Sequence, residues 1–181
     1  MEKEYNFIFI IYSCKKNLIK ANTLINRFFN ELLINLLKIK VIIIYGDTNI
    51  ETKYKYIDDK YLVLNIKDDY NSLHLKTLYM FKIIINLFPK IIGCFKCDDD
   101  IILNINSIIF FIQSLDKFQI NYSGFSCMVH EKQNNNIHMI QKGINIHSQN
   151  IITPASLYCG GPLYYLSNKS LNIIKTIEVV I

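Results

Sequence analysis

Apolar and polar residues alternate in blocks along this chain. Residues 5–12 form an almost unbroken apolar run that stops at Ser13-Cys14-Lys15-Lys16, the pattern of a fully buried strand followed by a turn. Leu18, Leu24, Ile25, Phe28, Phe29, Leu32, Leu33 and Leu36 then recur at helical spacing and predict a helix over residues 18–37. Val41-Ile42-Ile43-Ile44-Tyr45 predicts a second buried strand, ended by Gly46-Asp47. Strand, helix, strand is the opening of a right-handed parallel unit. Residues 61–66 predict a third strand. Residues 71–87 predict a helix that Asp68-Asp69 introduces and Pro89 closes. Residues 91–97 predict a fourth strand running straight into Asp98-Asp99-Asp100, and residues 104–115 a further helix.

The second half is more polar. Strands and a hairpin around Asn134-Asn135-Asn136 are expected within residues 120–150. A loop is expected at Pro154 and at Cys159-Gly160-Gly161-Pro162, then a last helix over residues 163–176. There is no internal repeat and no linker-like stretch. The expectation is one α/β domain over residues 1–181 with a mostly parallel central sheet.

Composition changes this picture little. Of 181 residues 51% are hydrophobic and 13% aromatic, enough for a sizeable core. The net charge of +5 comes from scattered lysines, without the basic stripe of a nucleic-acid binder. Such a diffuse positive field would attract a nucleotide diphosphate. Five cysteines, an odd number at irregular spacing, argue against a disulfide framework and for a reducing compartment. The apolar run at residues 7–12 is too short to span a membrane and lacks a basic leader, so a soluble cytoplasmic protein is expected.

Chemistry concentrates in the acidic triplet. Open α/β sheets bind ligands beyond the carboxyl ends of their strands, and Asp98-Asp99-Asp100 sits at such an end. Three adjacent carboxylates repel unless a cation or solvent compensates. Mg2+ or Mn2+ takes one or two carboxylates together with substrate phosphates. Side chains alternate on an extended segment, so Asp98 and Asp100 would share a cleft while Asp99 points elsewhere. A solvated acidic loop is the plainer alternative. It is disfavoured by the buried strand before the triplet and by Ile101-Ile102-Leu103 after it. Cys94-Phe95-Lys96-Cys97 is a lone C-x-x-C lying within a strand; His130, His138 and His147 do not complete a zinc site, so structural cysteines are expected. No phosphate-binding Gly-rich loop and no Ser–His–Asp arrangement is evident.

Three ordered segments carry a family resemblance. Asp69-Tyr70-Asn71-Ser72-Leu73-His74-Leu75-Lys76-Thr77, Phe95-Lys96-Cys97-Asp98-Asp99-Asp100-Ile101-Ile102-Leu103-Asn104 and Tyr158-Cys159-Gly160-Gly161-Pro162-Leu163-Tyr164-Tyr165-Leu166-Ser167 resemble motifs of glycosyltransferase family 31, the β-1,3-galactosyltransferase-like enzymes. The resemblance is clearest over residues 56–116 and 154–170. It implies a Rossmann-like GT-A fold, a UDP-sugar donor (galactose or N-acetylglucosamine favoured), a glycan or glycoprotein acceptor, Mn2+ or Mg2+, and inversion at the anomeric carbon with a β-1,3 linkage.

The resemblance also implies roles. Asp100 would ligate the metal, with Asp98 contributing and touching the donor's ribose or sugar, and Asp99 would support the cluster. Lys76 would face the diphosphate or be a solvated helix lysine. Gly160 and Gly161 would leave room for the sugar or simply make a turn. Tyr158 and Tyr164 would line the acceptor side or belong to the core. The sequence departs from the family where its catalytic base is expected: the Glu-Asp-Val-x-x-Gly segment is missing, and Glu178 lacks the Asp and Gly that should follow. The base is therefore unassigned. The domain is expected to be incomplete at its C-terminal end, with a donor-binding protein of impaired activity as the alternative to an active enzyme. A nucleotidyltransferase would share the acidic pair but not the other two motifs.

Overall fold

In a computed structural model residues 4–129 and 156–178 are described. They form a seven-stranded mixed sheet flanked by five α-helices. The strands are β1 (Phe7–Tyr12), β2 (Ile39–Gly46), β3 (Tyr54–Ile57), β4 (Tyr61–Leu64), β5 (Gly93–Asp98), β6 (Tyr122–Val129) and β7 (Ser156–Ser167). The helices are α1 (Leu18–Phe28), α2 (Glu31–Leu37), α3 (Leu73–Leu87), α4 (Ile105–Phe118) and α5 (Asn168–Lys175). The sheet order is β3-β4-β2-β1-β5-β7-β6.

Strands β4, β2, β1 and β5 run parallel, while β3, β7 and β6 add antiparallel edges. The chain leaves β1 for β2 on one side and returns through α3 to β5 on the other. Order therefore reverses between β1 and β5, the switch point at which doubly wound sheets bind ligands. This is the mostly parallel, Rossmann-like α/β sheet expected from the sequence.

Strand alternation divides the core between the two faces. On one face Ile8, Ile10, Ile42, Ile44, Leu62 and Cys94 pack against Met80, Phe81, Ile84 and Ile85 of α3 and Leu171 of α5. On the other, Phe7, Phe9, Ile11, Ile43, Phe95 and Cys97 pack against Ala21 and Leu24 of α1 and Ile108 and Leu115 of α4. Cys94 and Cys97 thus lie on opposite faces and cannot pair. Burial pushes both thiols far above their ordinary value. Both should resist iodoacetamide in the native protein and react only after denaturation, as read by peptide mass mapping. Native labelling at the rate of the partly exposed Cys14 would contradict their burial.

Four sequence expectations need correction. The helix over residues 18–37 is two helices. Phe29 turns extended and drops its ring onto Phe9, centroids 4.7 Å apart. Asn30 then caps α2, its side chain accepting from Leu33 N–H at 2.8 Å. Leu32 and Leu36, which fitted the apolar stripe, are exposed. Strand β3 was not anticipated. It forms a hairpin with β4 through Asp58 and Asp59, both at positive φ (51° and 53°), the geometry of a type I′ turn.

The expected loop at residues 159–162 lies within β7. The β6–β7 register shifts between Gly124 and Ser126, and the irregularity accommodates Pro162, which cannot donate to a ladder. The expected helix over residues 163–176 shrinks to α5, because Leu163–Ser167 pair with β5. Ser167 caps α5, its hydroxyl accepting from Ser170 N–H at 3.2 Å. The hairpin at Asn134-Asn135-Asn136, the loop at Pro154 and His130, His138 and His147 lie outside the described residues. Among the described residues no helix is long and apolar enough to cross a membrane.

Candidate functional site

A cleft of about 650 Å³ opens over the carboxyl ends of β1 and β5, at the switch point. It is lined by Tyr12 at the end of β1 and Ser13 after it, Asp68 and Asp69 before α3, Lys76 of α3, Lys96 and Asp98 of β5, Asp99 and Asp100 after β5, and Gly161 of β7. The structure thus brings together Asp98, Asp99, Asp100, Lys76 and Gly161 of the residues singled out from sequence. Gly160 is buried and is not part of the lining. The Tyr158 side chain lies outside what is described. Tyr164 stands behind Lys96, 5.7 Å from its ammonium, and lines a different, apolar pocket under α4.

The three aspartates have different surroundings. Asp98 ends β5 and accepts a hydrogen bond from Lys96. Burial raises its carboxyl above the ordinary value, opposed by Lys96 and assisted by the neighbouring Asp100 and Asp99. Asp99 is turned back towards β1. Its Oδ2 accepts from the Ser13 hydroxyl at 2.6 Å, and Lys20 lies 3.9 Å from its Oδ1. Asp100 is exposed, and among the described residues neither a hydrogen-bond donor nor a cation is bound to it.

Lys76 is 2% exposed, which rules out a solvated helix lysine. Its Nζ donates to Asp68 Oδ1 at 2.6 Å and to the Ser13 carbonyl at 2.5 Å, and lies 4.6 Å from the centre of the Tyr12 ring. Asp68 also accepts from the Lys15 backbone N–H at 2.9 Å. Gly46 helps to place this turn: a Cβ there would come 2.6 Å from the Ile66 carbonyl oxygen, so β2 can end tightly against the segment that carries Asp68. Asp69 opens the turn before α3, its Oδ1 accepting from Ser72 N–H at 3.0 Å. One network therefore fixes the ends of β1, β4 and β5 relative to α3.

Sequence reasoning missed Lys96, Tyr12, Ser13 and Asp68. Lys96 is 6% exposed, with Phe95 and Cys97 buried on either side of it. The signal was a lysine inside a buried run, two positions before Asp98 and hence on the same strand face. Tyr12 stands between the two buried ammoniums, 4.6 Å from Lys76 and 4.8 Å from Lys96. Its hydroxyl donates to the Leu73 carbonyl at 3.0 Å, and burial pushes its phenol well up.

The charge balance bears on a metal. Five carboxylates (Asp68, Asp69, Asp98, Asp99, Asp100) line the cleft against three ammoniums (Lys16, Lys76, Lys96). A diphosphate would meet a net negative wall unless a cation accompanied it. Among the described residues no three His, Cys, Asp or Glu side chains converge into a complete metal cage. That donor set fits a hard cation held by one or two carboxylates and completed by substrate phosphates.

The family model described as Galactosyltransferase matches residues 45–180. No curated protein matches the chain closely enough to count as a relative. The match begins at Tyr45 at the end of β2 and takes in Asp68, Lys76, the aspartate triplet and Gly161.

Proposed function

Because the chain belongs to the galactosyltransferase family and is a glycosyltransferase, we propose that it transfers a hexose or N-acetylhexosamine from a UDP-sugar to a glycan or glycoprotein hydroxyl. The proposed reaction depends on Mn2+ or Mg2+, inverts the anomeric carbon and forms a β-1,3 linkage; galactose and N-acetylglucosamine are the favoured sugars. The observation that carries the reading is the division of labour among the aspartates. Asp98 is engaged by Lys96 and Asp99 by Ser13 and Lys20, leaving Asp100 as the carboxylate of the triplet that has no partner among the described residues and can ligate a cation.

In this reading Asp100 holds the metal, and Asp98 contributes to it and accepts a hydroxyl of the donor. When bound, the cation neutralises charge on the leaving diphosphate. Asp99 keeps the segment after β5 fixed against β1. Lys76 lies at the base of the cleft, tying α3 to the β1 turn, so that the diphosphate meets a rigid wall. Gly161 lines the cleft, and a Cβ there would meet no described atom within 4 Å, which supports its role of leaving room for the sugar.

The reading is tested by incubating the protein with UDP-galactose and with UDP-N-acetylglucosamine, each with Mn2+ and with EDTA, and measuring UDP release. Release from one donor above the EDTA control is expected, and the preferred donor names the sugar. Equal release with and without metal would refute metal dependence. Binding of the donor without release or transfer under any of these conditions would instead favour a donor-binding protein of impaired activity.

A further inference from the structure

Lys96 donates to two segments that line the cleft, on the neighbouring strands β5 and β7. One hydrogen bond goes to Asp98 Oδ1 at the end of β5. The other goes to the Gly161 carbonyl in β7, at 2.6 Å. The ammonium also lies over the rings of Tyr12 and Tyr164, at 4.8 and 5.7 Å. Two hydrogen bonds and two ring faces thus hold the ammonium, and its side chain is 7% exposed. A buried ammonium is costly to hold unless it is paired, and here Asp98 and the Gly161 carbonyl supply the pairing.

We infer that Lys96 is a positioning residue that sets both the geometry and the charge of the donor site, a role resting on the metal and UDP-sugar reading above. It occupies Oδ1 of Asp98, so Asp98 presents its other oxygen to the ligand. It draws the Gly161 carbonyl back towards β5, which keeps the sugar side of the cleft open. It also cancels one of the three adjacent negative charges, so the triplet binds a divalent cation no more tightly than the diphosphate's arrival can tolerate.

This last consequence separates positioning from plain structural support. Lys96→Met removes a positive charge and keeps most of the apolar stem. The uncompensated triplet should bind a divalent cation more tightly, by at least about threefold. UDP measured at saturating Mn2+ should bind about tenfold more weakly, because Asp98 and Gly161 lose their tether and the wall becomes more negative. A mutation that merely loosened the fold would weaken both.

The experiment measures Mn2+ affinity by electron paramagnetic resonance in nucleotide-free protein, then UDP affinity by calorimetry, in the unmodified chain and in Lys96→Met. Lys96→Gln, which also removes the charge but keeps a hydrogen-bond donor, is the second variant should Lys96→Met not fold. Opposite shifts of the two affinities in a folded variant support the inference. Mn2+ binding that is unchanged or weakened in the folded variant overturns it while leaving the metal reading intact. Failure of the unmodified protein to bind Mn2+ both alone and in the presence of UDP overturns both.

Discussion

Asp100→Ala is expected to lower metal-dependent donor turnover on the order of a hundredfold or more, since a cation at a developing negative charge supplies several kcal/mol. The fold should survive, because Asp100 is exposed and among the described residues carries no partner. Thermal unfolding of the variant should therefore stay close to that of the parent. Asp99→Asn provides the contrast. It keeps the Ser13 contact possible and loses the Lys20 attraction at 3.9 Å, so turnover should fall about tenfold at most. Equal losses in the two variants would mean that the triplet acts as one acidic surface without separate roles.

Lys76→Ala is expected to act on the fold. The ammonium is buried and bound to Asp68 and to the Ser13 carbonyl. Removing it leaves the Asp68 side chain, 17% exposed, facing an emptied space. Breaking a buried pair from one side typically costs about 3–5 kcal/mol, a large part of a domain's total stability. Urea unfolding should show a correspondingly lower midpoint. Lys76→Ala/Asp68→Ala, which removes both partners, should recover part of the loss. A Lys76→Ala midpoint within experimental error of the parent would show that the pair contributes nothing to the fold, and that Lys76 is kept for the ligand alone.

The alternation of blocks along the first hundred residues made the parallel core legible. Runs such as Ile42-Ile43-Ile44 are buried on both faces, so strand and helix lengths could be read from where polar residues interrupt them. The break at Phe29-Asn30 was not legible, because Leu32 and Leu36 continue the helical spacing although they face solvent. Hairpin β3–β4 was hidden because its turn is Asp58-Asp59, without the glycine that usually marks positive φ. The Gly160-Gly161-Pro162 segment reads locally as a turn; pairing of its neighbours with β5 and β6 carries the strand through it.

In the site, the triplet announced itself as three like charges between apolar stretches. Its partners did not, because the contacts from Ser13 and Lys20 to Asp99 and from Lys76 to Asp68 depend on how strands and helices are placed. Only Lys96 carried a local signal, a charge inside a buried run.

The cleft is expected to bind a nucleotide diphosphate through a divalent cation at Asp100. Calorimetric titration of UDP into the protein, with Mn2+ and again with EDTA, tests it most directly. Binding with Mn2+ that disappears with EDTA, and that disappears in Asp100→Ala with Mn2+ present, is the predicted result. UDP binding of equal strength with and without metal, or undiminished in Asp100→Ala, would contradict it.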